Sequence, residues 1–342
     1  MIDIIERQFA IAQGEAAPLN LPKFQTYTIC NLRGGIGKTT LAFNLAYYTE
    51  NVLVVDTCPQ CNLTWFFDQN YLSNVTVTVY SMLLPHFLPG LGFANKVARS
   101  IKATNQFFND KRAFFLPSDN LLYILPSQIA TAIVQAQRTV GAQQMQIIDK
   151  MLYSLKDEIH REITDCQLDR CIIDTSPFFS GATHLAWHAC DALIVPVRTD
   201  KQSINSLRLL LHMLSDPASE FRKILPSDGH TPKIQIIVLT HCGWSTVRSS
   251  RNIPNKQTQA YVEETMDVIR QNIVHFTTDN PSNHLLLLDD FLGTGRISSA
   301  KSKPIALLTA GECMTINRVR TEVNSSVDKI KNQLKYISDS IW

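Results

Sequence analysis

No stretch of this 342-residue sequence approaches the ~18 consecutive apolar residues of a bilayer-crossing helix. The opening residues, MIDIIERQFAIAQGEAAP, carry acids early and no long apolar core, so no secretory leader is expected. Charge of one sign is scarce too. The formal net charge is only +2, too mild for nucleic-acid binding by bulk charge, so any such binding must come from local patches. Internal repeats and low-complexity tracts are missing. The eight cysteines (Cys30, Cys58, Cys61, Cys166, Cys171, Cys190, Cys242 and Cys313) are scattered, several inside apolar runs. There a thiol serves as a small hydrophobe, which fits a reducing cytosol better than a disulfide scaffold. A soluble, cytoplasmic protein is the expectation.

What is present is a core. Hydrophobic residues make up 45% of the chain and charged residues 18%, enough to bury a substantial interior. Apolar, β-branched runs recur as TYTICN (26–31), VLVVD (52–56), LLYILP (121–126), CIIDT (171–175), ALIVPV (192–197), IQIIVLT (234–240) and LLLLDD (285–290). Their near-continuous hydrophobicity suits strands covered on both faces. Helically spaced segments such as 39–50 and 145–163 lie between them, and this alternation predicts an α/β fold with a doubly wound, mostly parallel sheet. Residues 1–22 are expected to be an extension with a short amphipathic helix (Ile2, Ile5, Phe9), and 23–342 a single domain. Residues 84–120 read as an insertion. From about 314 to 342 the spacing of Val319, Val323, Val327, Ile330, Leu334, Ile337 and Ile341 predicts an amphipathic helix.

The chemistry starts at CNLRGGIGKTTLAFNLA, which follows the first strand and opens a helix. Gly34, Gly35 and Gly37, with Ile36 between them, let the backbone turn tightly so that successive N–H groups point at phosphate oxygens. The helix start adds its positive end. Lys38 is placed to reach the β and γ phosphates, Thr39 to ligate Mg²⁺ and Thr40 to support the α phosphate.

The loop RGGIGKTT resembles that of the deviant Walker A P-loop NTPases, the ParA/MinD family, and so do four later segments. VLVVDTCPQCNLT is similar to the family's D-x-D-P-Q-x-N motif and CIIDTSP to its Walker B element. LLYILPSQIA and ALIVPVRTD resemble the strands that precede and follow that element, and GRISSAKSKPI a C-terminal segment. The resemblance implies ATP and Mg²⁺ as cofactors and a homodimer that sandwiches two nucleotides. Lys38, Arg33 and Asp56 would be the catalytic residues, and Thr39 and Asp174 the metal ligands.

Two departures matter. Arg33 stands where the family has the lysine that crosses to the partner's phosphates. Arginine keeps the charge and can bridge phosphate oxygens; Arg198 and Lys201 are candidate substitutes. Cys58 stands where the family has the acid that orients the attacking water, and a thiol with an ordinary pKa of ~8.5 replaces a carboxylate poorly. Weak hydrolysis follows. Cys58-x-x-Cys61 also admits a metal site or a redox pair.

Basic clusters at Lys96, Arg99 and Lys102, at Arg248, Arg251 and Lys256, and at Arg296, Lys301 and Lys303 are candidate phosphate contacts. The resemblance makes Arg296, Lys301 and Lys303 candidates for nonspecific DNA binding, and local charge adds Arg248 and Arg251. The expectation is a cytoplasmic, nucleoid-associated ParA-like ATPase that positions a plasmid, chromosome or protein cargo with a ParB-like adaptor. The alternatives are a MinD-like regulator on a membrane, docked by the C-terminal helix, and a nucleotide switch that does not hydrolyse.

Overall fold

Six of the seven apolar runs form strands of one sheet. The computed structural model describes residues 2–88, 90–179, 181–245 and 252–342. In chain order the strands are β1 (Thr26–Ile29), β2 (Val52–Asp56), β3 (Arg99–Ser100), β4 (Ala113–Leu116), β5 (Arg170–Asp174), β6 (Ala192–Arg198), β7 (Lys233–Cys242) and β8 (Leu285–Asp289). They lie in the order β3-β4-β2-β5-β1-β6-β7-β8, and every neighbouring pair is parallel except β3 with β4. Apolar residues on both faces explain the continuous hydrophobicity. Val52 and Val54 enter one core with the helices Lys38–Tyr48 and Val327–Ile341. Leu53 and Val55 enter another with the helices Ser154–Cys166 and Gly181–Ala189. Side-chain alternation along each strand forces this two-sided burial.

LLYILP is not a strand. Residues Asn120–Tyr123 form a 3₁₀ turn and Leu125–Ala136 a helix. Asp119 accepts a hydrogen bond from the Leu121 amide, and Pro126 suits a helix start. Leu121, Tyr123 and Ile124 are each about half exposed and only Leu122 and Leu125 enter the core, so the run is buried on one side only, as a helix is. The missing strand is β4, AFFL, inside the segment expected to be an insertion.

The C-terminal helix is also shorter than its apolar spacing suggests. A hairpin, β9 (Cys313–Ile316) and β10 (Val319–Glu322), occupies its first part, and the helix runs from Val327 to Ile341. Gly311 and the positive φ of Asn317 and Arg318 break the helical course. Val327, Ile330, Leu334, Ile337 and Ile341 are fully buried against the sheet.

The N-terminal helix, Ile2–Gln13, buries Ile4, Gln8 and Ile11 and leaves Phe9 exposed. It packs on the C-terminal helix and on edge strand β8. Arg7 donates to the carbonyls of Ser282 (2.9 Å) and Leu285 (2.6 Å), and Gln8 donates to that of Leu287 (3.2 Å).

Candidate functional site

The carboxyl ends of β1, β2, β5, β6 and β7 converge where the strand order reverses, the place at which open α/β sheets bind ligands. After β1 the chain turns through Gly35 (φ +70°) and Gly37 (φ +90°). A Cβ at either would meet no atom of the described residues within 4 Å, so among these residues the loop borders open space. The helix Lys38–Tyr48 starts here with no side-chain cap on its first amides among the described residues, and such orphan N–H groups can hold an anion. Ile36 is buried, and its carbonyl accepts from the Thr240 hydroxyl of β7 (3.2 Å).

Lys38 is buried and folds back onto its own loop. Its Nζ donates to the carbonyls of Arg33 (2.8 Å) and Asn31 (3.2 Å). Burial lowers its pKa, against the opposing pull of the Asp174 carboxylate. Thr39 donates its hydroxyl to Asp174 Oδ2 (2.8 Å), while Thr40 is half-buried beside it.

Asp56 and Asp174 are direct register partners in the β2–β5 ladder. Both are buried. Asp56 accepts from the amide of Cys58 (3.0 Å) and from the amide and hydroxyl of Thr64 (both 2.8 Å), which staples the following loop to the helix Asn62–Phe67. Desolvation still pushes it up to about 6. Desolvation, reinforced by Asp56, pushes Asp174 up to about 7. Its Oδ1 is buried with no hydrogen-bond partner among the described residues. Such an orphan needs an explanation. A hard, oxygen-seeking cation at the site would supply it, with Thr39 beside it.

Cys58 is buried. Burial, with Asp56 nearby, pushes its thiol up to about 12, so the sulfur is neutral. Its carbonyl accepts from Ser118 (2.6 Å) and from the Cys61 amide (2.9 Å). Cys61 has a left-handed backbone (φ 55°) and a buried thiol. Gln60 is exposed and hydrogen-bonded to Tyr123.

Arg33 points back into its own subunit, where its guanidinium pairs with Asp200 and donates to Ser203 (2.7 Å). Arg198 lies 3.6 Å from the same carboxylate. Lys201 is taken by Glu264 (2.6 Å). Asp200 also accepts from the Ser203 amide (2.9 Å), capping the helix Lys201–Ser215. Burial works against its charge, but the Ser203 amide and Arg33 together hold its pKa below the usual value. Sequence reasoning passed over Asp200, although D-x-x-S before a helically spaced run signals a cap.

The basic candidates divide. Arg296 is exposed on the helix Leu292–Lys301. Lys301 (2.7 Å) and Lys303 (3.1 Å) both clamp Glu312. Arg248 and Arg251 lie outside the described residues.

A family model described as an AAA domain (AAA_31) matches residues 24–226. The "Maintenance of carboxysome distribution protein A" of Gloeothece citriformis (strain PCC 7424) is 26% identical over 191 residues, 54% of this chain and 60% of that protein. The "Virulence plasmid ParA family protein pGP5-D" of Chlamydia psittaci is 26% identical over 200 residues, 56% of this chain and 63% of that protein. The match thus spans less than two thirds of either relative. Among solved structures, apo McdA of Cyanothece superposes with a TM-score of 0.57 at 20% identity, over 82% of this chain and 91% of that one. A putative plasmid partition protein of Borrelia burgdorferi B31, bound to AMPPNP, does so with 0.55 at 15% identity, over 92% and 98%. At these identities the likeness is one of fold.

Proposed function

This chain belongs to the ParA-like P-loop ATPases of the AAA domain family, and we propose that it is an ATP-dependent dimerising switch that positions a cargo. The observation that carries the reading is the pairing of an open glycine loop with a buried, partnerless Asp174 oxygen beside Thr39. The amides from Gly35 to Thr39 hold the phosphates of ATP. Lys38 exchanges the carbonyls of Asn31 and Arg33 for phosphate oxygens, a better match for a buried ammonium. Mg²⁺, held by Thr39 and Asp174, would draw charge off the phosphates. Thr57 donates its amide (3.0 Å) and hydroxyl (2.7 Å) to the Asp174 carbonyl, so the loops after β2 and β5 respond together.

Hydrolysis is slow in this reading, because a neutral, buried Cys58 thiol neither orients nor deprotonates water. For Arg33 to serve across a dimer, its guanidinium must first leave Asp200 and Ser203. The ATP dimer is proposed to be cytoplasmic and nucleoid-associated, to hold DNA without sequence preference, and to release it on contact with a ParB-like adaptor. A switch that never hydrolyses remains the second reading, favoured by Cys58 alone. Docking on a membrane through the C-terminal helix is disfavoured because its apolar stripe is spent in the core; no helix among the described residues is long and apolar enough to cross a membrane.

The test is light scattering of wild type and Lys38→Ala with ATP, ADP and no nucleotide, alongside calorimetry of ATP with magnesium. ATP should double the mass of the wild type alone. A wild type that takes up no ATP would sink the reading.

A further inference from the structure

Among the described residues the β9–β10 ribbon hydrogen-bonds to no other strand. Met314 and Ile316 pack toward the core, and Thr315 and Arg320, register partners, face solvent. The helix Leu292–Lys301 lies against the ribbon so closely that a Cβ on Gly293 would come within 2.2 Å of the Glu322 carbonyl. Between the strands, Asn317 (φ 49°) and Arg318 (φ 66°) both have left-handed backbones. That is a type I′ turn, whose second position strongly favours glycine. An arginine there strains the backbone and contributes nothing to packing, since Arg318 is exposed.

Residues 292–322 contain five cations and two carboxylates. Glu312 takes up Lys301 and Lys303. Arg296 and Arg318 form no ion pair among the described residues, and Arg320 contacts the Cys313 sulfur (3.6 Å), with Glu322 on the same face. The lysines of this segment are therefore turned onto one carboxylate, while the arginines are presented. We propose that the ribbon, through Arg318 at its tip and Arg320, together with Arg296 on the helix packed against the ribbon, grips the phosphate backbone of duplex DNA. This rests on the DNA reading above and moves the contact from the lysines to the ribbon. Guanidinium forks suit phosphate oxygens, and a two-stranded ribbon is narrow enough to approach a groove. No base is read.

The test is anisotropy of a short random-sequence duplex, titrated with salt in ATP and magnesium. Arg318→Gly and Arg320→Thr should each weaken binding about eightfold at ~0.1 M salt and lower the slope of log affinity against log salt by about 0.9. Lys301→Gln with Lys303→Gln and Glu312→Gln, which keeps the local charge within one unit, should change both far less than either arginine variant. Arg318→Gly should keep or raise the melting temperature, because glycine relaxes the turn, and this separates lost contact from lost fold. A wild type that binds while both arginine variants bind equally well overturns the ribbon assignment and leaves the DNA reading standing. A wild type that binds no duplex defeats the DNA reading itself. Arginine-dependent capture by phosphatidylglycerol vesicles without duplex binding overturns the assignment in favour of a membrane surface.

Discussion

Asp56 and Asp174 sit opposite each other in one parallel ladder, yet their surroundings divide the labour between them. Three donors converge on Asp56, and it holds the shape of a loop. Asp174 takes one donor, from Thr39, and keeps a bare buried oxygen. Two acids of equal burial thus differ in how far they are satisfied: one has donors on its carboxylate, the other keeps an oxygen that the proposed cation would fill.

The sharpest way to break that contrast is Asp56→Ala. It should cost about 3 kcal/mol in denaturant unfolding, because the Thr64 and Cys58 donors are left buried and unpaired. Asp174→Ala should do the reverse, cutting affinity for ATP with magnesium roughly 50-fold by calorimetry while the nucleotide-free chain becomes no less stable.

Both folded pKa values, about 6 and about 7, lie above the ordinary carboxylate value of 3.8. The stability from holding these protons is complete below about pH 4 and is lost as pH rises through both values. Asp174→Asn should therefore stabilise the nucleotide-free chain by on the order of 2 kcal/mol near pH 8 and by almost nothing near pH 4. A constant gap across that range would refute the assignment of a buried, charge-averse Asp174.

Cys58→Asp puts a third carboxylate beside this pair and should raise saturated ATP turnover about tenfold; unchanged turnover with saturating adaptor would show that the thiol is not what limits hydrolysis. The smallest effect is expected from Asp200→Asn, about 0.5 kcal/mol in stability from a weakened partly exposed pair. It should nonetheless ease ATP-induced dimerisation if Arg33 must leave its own subunit to act.

Strands whose apolar runs are buried on both faces were legible, as β1, β2 and β5 to β8 show. LLYILP misled because hydrophobicity alone does not reveal which runs stay at the surface. AFFL was hidden by four flanking residues of polar and turn-forming character, NDKR (109–112), and by its shortness. At the site, the glycine spacing and Asp174 could be read from order and residue type. The Arg33–Asp200 and Gln60–Tyr123 pairs could not, since they join segments 167 and 63 residues apart. The same holds for the clamp on Glu312, which decides which basic residues of one short segment remain available.

The polar side of the N-terminal helix has a consequence for any mass measurement on this chain. Arg7 and Gln8 occupy main-chain oxygens along β8, the outermost strand on that side. Without residues 2–13 the Leu285 and Leu287 oxygens would lose these donors on an edge strand, and an unpaired edge readily recruits a like edge from a second molecule. Shortened chains would then self-associate through backbone pairing with no nucleotide at all, and scattering would count those adhesive pairs as switched-on dimers.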